Sequence, residues 1–80
     1  MDTLSQLSPG QFARVKRILG SRDSSRQLVR MGITPGSKLE LLRKAPLGDP
    51  LHFRVGNFEL CLRRDTATQV EVEIERVTPA

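Results

Sequence analysis

The chain has 80 residues, 38% hydrophobic and 28% charged, with 13 Lys and Arg against 9 Asp and Glu for a net charge of +4. A chain this short is expected to form one domain over 1–80 and to bury only about 60–65% of the surface it exposes when unfolded. That excludes a two-domain enzyme with an interdomain cleft and a nucleotide-binding α/β domain of ordinary size.

In chain order, Leu4 and Leu7 precede a turn at Pro9-Gly10. Gln11 to Leu19 follows with Ala13 and Val15 alternating against Arg14 and Lys16, the pattern of a half-buried strand. The alternation slips by one before Ile18, which predicts a bulge. After a loop over Gly20–Asp23, Ser24 to Met31 reads as a short helix capped by Asp23 or Ser24. Leu28 and Met31 share its apolar face. Gly32 is suited to the left-handed step that ends a helix, and Ile33 is placed to touch Leu28 across that ending. Thr34-Pro35-Gly36-Ser37 is a turn, with Pro fixing φ at the second position and Gly tolerating φ > 0 at the third.

Lys38 to Lys44 is the next strand, with Leu39 and Leu41 on one face. Ala45 to Pro50 is a loop with two prolines. Leu51–Val55 and Phe58–Leu62 are strands joined by Gly56-Asn57, a pair that favours a two-residue hairpin turn. Arg64–Gln69 reads as one helical turn. Val70–Val77 is a strand with Val70, Val72 and Ile74 facing one way and Glu71, Glu73 and Glu75 the other. Five short strands, most with one apolar and one charged face, are too few for two stacked sheets. The expected fold is mainly β with one short helix, a small five-stranded barrel with the helix over one opening.

Apolar runs are pairs such as Ile18-Leu19 or Leu41-Leu42, with three residues at most in Leu60-Cys61-Leu62, against the roughly 20 residues of a membrane span. Met1-Asp2-Thr3-Leu4 lacks the basic and apolar stretch of a secretory signal, and a lone Cys61 forms no internal disulfide. From these features a cytoplasmic location is expected. Charge is uneven along it: residues 1–44 carry a net of +6 and residues 45–80 a net of −2. That polarity suits an acidic partner, whether nucleic acid, an anionic lipid surface or an acidic protein patch. Trp and Tyr are absent and the three Phe sit at alternating or core-like positions, so the aromatic platforms on which single-stranded bases stack are missing.

No G-x-x-x-x-G-K-[ST] run is present to cradle a nucleoside triphosphate. The sole histidine, His52, has no ordered nucleophile beside it. In the predicted hairpin Val55 faces Phe58, Phe53 faces Leu60 and Leu51 faces Leu62, which forms one apolar face. On the other face Arg54 meets Glu59 and His52 meets Cys61, with opposed Cβ atoms about 4.5–5.5 Å apart. His52 and Cys61 therefore make half a metal site, because zinc-like sites use three or four protein groups; an ordinary cross-strand pair is the competing reading.

Arg22, Arg26 and Arg30 recur every four residues and form one basic stripe opposite Leu28 and Met31 if the helix reaches back to Arg22. The stripe is either a solvated face or a docking surface whose guanidinium forks suit carboxylates. Pro46 to Pro50 is either a structural bend or a rigid docking loop with Leu47 as apolar anchor.

Three stretches in order resemble the FeoA family of bacterial ferrous-iron-transport accessory proteins. They are Arg26 to Gly36, with Met31-Gly32-Ile33-Thr34-Pro35-Gly36; the loop Pro46-Leu47-Gly48-Asp49-Pro50; and Leu60-Cys61-Leu62-Arg63-Arg64 with Ala67. Thr66 departs from the acidic residue the family often has before that alanine. The resemblance implies an SH3-like barrel and a cytoplasmic protein that works with FeoB, the membrane permease with a GTP-binding domain. It implies neither catalysis nor a settled iron site, and no cofactor is expected. The same kind of domain ends DtxR-type metal-dependent repressors, and the start at Met1 favours the free-standing form. The expected function is non-enzymatic, by protein–protein contact with the permease. Arg22, Arg26, Arg30, Leu47, Gly48 and Asp49 are the candidate partner-binding residues, and nucleic acid is not expected as a partner. The alternatives are a small basic nucleic-acid-binding barrel and a metal sensor or chaperone using His52 and Cys61.

Overall fold

A computed structural model describes residues 2–75. Its strands are β1 (Asp2–Thr3), β2 (Phe12–Ile18), β3 (Lys38–Lys44), β4 (Leu51–Val55), β5 (Phe58–Leu62) and β6 (Val70–Glu75), with helices α1 (Arg22–Arg30) and α2 (Arg64–Ala67). Single 3₁₀ turns cover Leu4–Gln6 and Pro46–Gly48. The strands form one antiparallel sheet in the order β1-β6-β2-β3-β4-β5. The five predicted strands are β2 to β6. The sixth, β1, pairs Asp2 with Val72 and Thr3 with Glu71.

The sheet curls because β2 to β6 each offer apolar residues to a shared interior. Ala13 and Val15 of β2, Leu39 and Leu41 of β3, Leu51 and Phe53 of β4 and Val70 and Val72 of β6 are all buried. Leu4 and Leu7 close the interior beside β6, and Leu28 of α1, Ile33 and Ala67 of α2 complete it. The predicted strand Val70–Val77 is observed through Glu75; Arg76 and Val77 lie outside the described residues.

Two registers decide where the charged side chains stand. In the β4–β5 hairpin all five predicted pairs occur, from Val55↔Phe58 to Leu51↔Leu62. A two-residue turn leaves the pairing no freedom to slip. The β2–β6 pairing shifts between Val15 and Arg17, so Lys16 is the bulged residue. Past the bulge Arg17 faces Glu71. Glu71 is not on an exposed acidic face as expected: it is only 8% exposed, and Arg17 holds its carboxylate with two bonds, Nε to Oε2 at 2.7 Å and Nη2 to Oε1 at 3.3 Å.

Phe58 is not core either. It is 74% exposed, while Phe53, farther from the hairpin turn, is fully buried. Its partner Val55 is half-buried against the core, so of the apolar pair at the hairpin tip only Phe58 faces water. Phe12 lies on the outer face of β2, half-buried, with the Lys38 ammonium 5.0 Å from its ring centroid.

Candidate docking surface

Helix α1 begins two residues earlier than expected. Ser21, not Asp23 or Ser24, is the N-cap, and its hydroxyl accepts the Ser24 backbone N–H at 3.2 Å. Asp23 lies in the first turn, where its charge complements the helix N-terminus. At the other end the Ile33 N–H donates to Leu28 O at 2.9 Å and the Gly32 N–H to Val29 O at 3.0 Å. Gly32 carries the positive φ of +90° that this pair of bonds requires.

With α1 reaching Arg22, the three arginines all fall on the helix at intervals of four, and all are exposed. Only Leu28 of α1 is buried. Met31, expected beside Leu28 on the barrel, is the C-cap and is 38% exposed. It sits past the last helical turn, so it borders a cleft and does not fill the core. That cleft, of about 210 Å³, separates α1 from the strand end: Gln27 and Met31 stand on one side, Cys61, Arg63 and Thr66 on the other.

The loop after β3 is a tight turn. Gly48 N–H donates to Ala45 O at 2.8 Å, and Ala45 N–H donates to Pro50 O at 3.0 Å. Leu47 has φ +73° and ψ 5°, the third position of a type II turn, where Gly or Asn is normally required. Thr34–Ser37 forms a similar turn with the expected residue in that position, Gly36 at φ +92°. The Asp49–Pro50 peptide is cis. Asp49 is exposed, and its Oδ1 accepts the Arg64 backbone N–H at 3.0 Å and so anchors the loop to the start of α2. Leu47 is left fully exposed, at 101%.

The cations divide into two groups. Arg14 and Lys38 reach Glu75, Arg17 reaches Glu71 and Arg54 reaches Glu40, all across the strands. Among the described residues, Arg22, Arg26 and Arg30 of α1, Arg43 and Lys44 before the loop, and Arg63 and Arg64 at α2 have no carboxylate partner. The paired cations neutralise the sheet. Lys16, at the β2 bulge, is unpaired as well among the described residues; the other unpaired ones stand at the helix, the cleft and the approach to the Leu47 turn. Sequence reasoning missed Arg63 and Arg64, because their nearness to the loop depends on the long-range Asp49–Arg64 bond.

His52 and Cys61 are opposed as expected. The imidazole, however, engages Glu59, Nε2 to Oε1 at 3.0 Å, and Arg54 turns to Glu40 at 3.7 Å rather than to Glu59. Among the described residues no group of three or more His, Cys, Asp or Glu side chains is placed to share a metal ion. A half-open groove of about 450 Å³ lies on the outer sheet face beside Phe12, Lys38 and Val55, away from every predicted site residue.

The FeoA domain model matches residues 3–74. The chain belongs to the FeoA domain family. It is 32% identical over 71 residues to the Fe(2+) transport protein A/Fe(2+) transporter FeoB fusion protein of Porphyromonas gingivalis, covering 89% of this chain and 8% of the fusion protein. Among solved structures, iron(II) transport protein A of Clostridium thermocellum is 42% identical with a TM-score of 0.87, over 91% of this chain and 45% of that one. The FeoA of Stenotrophomonas maltophilia, solved with zinc and described as an SH3 domain protein, is 30% identical with a TM-score of 0.82, over 95% of this chain and 98% of that one. The fold of this FeoA-domain chain is thus mainly β and SH3-like, and its family is that of ferrous iron transport. No helix among the described residues is long and apolar enough to cross a membrane.

Proposed function

We propose that this chain is a non-enzymatic cytoplasmic accessory protein of ferrous iron uptake that acts by docking on a FeoB-type permease with a GTP-binding domain. The observation that carries the reading is the Porphyromonas gingivalis relative, in which the matching segment and a FeoB transporter are one polypeptide. Fusion holds two modules at effective concentrations of about millimolar, so it favours pairs whose contact is useful. The surface of the present chain supports the same reading. Unpaired guanidinium groups of Arg22, Arg26 and Arg30 lie in a row on an exposed helix face, and such groups bind carboxylates in forked pairs. A patch of one sign also speeds encounter with a partner of the other.

The test is co-purification with the FeoB-type permease of the same cell, in mild detergent at low salt. Recovery of the permease, lost as salt is raised, is the expected result. Failure to recover it at low salt counts against the reading.

A further inference from the structure

We propose that Leu47 is an apolar knob that inserts into a socket rimmed by carboxylates on the FeoB-type permease, with Arg63 and Arg64 contacting the rim; this rests on the docking function proposed above.

Three observations carry it. Leu47 occupies a backbone conformation, φ +73°, that a leucine resists and a glycine accepts. Its side chain is 101% exposed, so no contact within the fold compensates. A residue that opposes both local backbone preference and burial contributes nothing to folding, and held strain of this kind points to a role outside the fold. The turn is also held rigid. Pro46 fixes its own φ, the Ala45–Gly48 and Ala45–Pro50 backbone bonds close the loop, and Asp49 ties it to α2. A preorganised knob loses little conformational freedom on docking.

The surroundings specify the socket. The Arg64 guanidinium lies 3.8 Å from where a side chain on Gly48 would begin. Arg43 and Lys44 lead into the turn, Arg63 borders the α1 cleft, and all four cations are exposed without carboxylate partners among the described residues. An apolar tip with the free Arg64 cation beside its turn, and Arg43, Lys44 and Arg63 next to it in sequence or at the adjoining helix, complements an apolar pocket with an acidic rim, the usual pattern of a dry interface centre inside a polar border. A bilayer fits less well. One leucine buries less apolar surface than a single acyl chain, which itself gives only marginal membrane binding.

The test uses the full chain and the detergent-solubilised permease of the same cell. Leu47→Gly and Leu47→Asn both suit the left-handed turn, so their melting temperatures should equal or exceed that of the unmodified protein. Their affinity for the permease should fall by about tenfold or more, the loss expected on removing a buried leucine anchor. Neutralising the rim contacts with Arg63→Gln and Arg64→Gln should mainly slow association and flatten its salt dependence. Binding of Leu47→Gly and Leu47→Asn within about twofold of the unmodified chain, below half of one tenfold step of 1.4 kcal/mol, overturns the knob and leaves the docking function standing. No binding by the unmodified chain overturns both. Leu47-dependent binding to vesicles of phosphatidylcholine and phosphatidylglycerol without permease, or Leu47-dependent self-association, assigns the turn to lipid or to a second copy and also overturns the proposal.

Discussion

Asp49 and Arg64 are 15 residues apart, and the carboxylate of one accepts the backbone N–H of the other at 3.0 Å. That N–H opens α2, where the first backbone donors have no partner inside the helix. Arg63, the N-cap residue, makes no side-chain cap bond. Asp49 therefore caps α2 from outside and fixes the Leu47 turn in the same contact.

Removing it should be felt in both places. Asp49→Ala is expected to cost about 1 kcal/mol, the usual cost of a lost helix cap. Asp49→Asn keeps an acceptor oxygen and should recover most of the loss. Urea denaturation of the three proteins decides the matter, and an Ala variant as stable as the original would show that water replaces the carboxylate without cost.

The Arg17–Glu71 pair makes a second stability prediction. Glu71 is 8% exposed, whereas the Arg17 side chain remains 66% exposed. Truncating the arginine strands a nearly buried carboxylate, for which about 1–3 kcal/mol is expected; solvent access from the arginine side favours the lower end. Arg17→Lys should restore only part of this, since an ammonium is a point charge and not a planar fork. Equal denaturation midpoints for Arg17→Ala and Arg17→Lys would show that the forked geometry is irrelevant.

What is legible in the chain tracks its locality. The β4–β5 register is readable because Gly56-Asn57 fixes a two-residue turn and alternation does the rest. The end of α1 is readable because Gly32 and Ile33 act on carbonyls a few residues back. Its start is not, since Ser21, Asp23 and Ser24 are all good caps and only the backbone decides among them. β1 is invisible for a different reason. Two residues carry no periodicity, and Asp2–Thr3 is a strand only because β6 passes beside it. The loop around Leu47 is legible from its two prolines, but the left-handed backbone of Leu47 is hidden, because Pro46 followed by leucine does not announce a turn that normally takes glycine.

The pairing of His52 with Glu59 bears on metal. The imidazole Nε2 lies 3.0 Å from Glu59 Oε1, so one ring nitrogen is engaged by a carboxylate on the neighbouring strand. His52 and Cys61 alone supply half the donors of a tetrahedral site. His52→Ala combined with Cys61→Ser is expected to leave ferrous iron uptake near normal in cells that contain normal amounts of the protein. Lost uptake with an intact fold would return the sensor or chaperone reading to first place.

The last prediction concerns the stripe. Arg26 and Arg30 lie one turn apart on α1, both exposed, while Leu28 alone anchors the helix in the core. Neither arginine has a carboxylate partner among the described residues, so reversing both charges breaks no ion pair. Arg26→Glu with Arg30→Glu should change stability by less than about 0.5 kcal/mol, plus a few tenths for like charges spaced by four. Glutamate at position 30 also stands near the negative C-terminus of the helix, which adds a small penalty, while the leucine contact is untouched. Against an acidic partner the same reversal sets like charge on like, at a cost of several kcal/mol. The expected outcome is a folded protein with a nearly unchanged melting temperature that no longer supports ferrous iron uptake. Normal uptake at normal abundance would reduce the stripe to a solvated face and leave the Leu47 turn as the remaining contact.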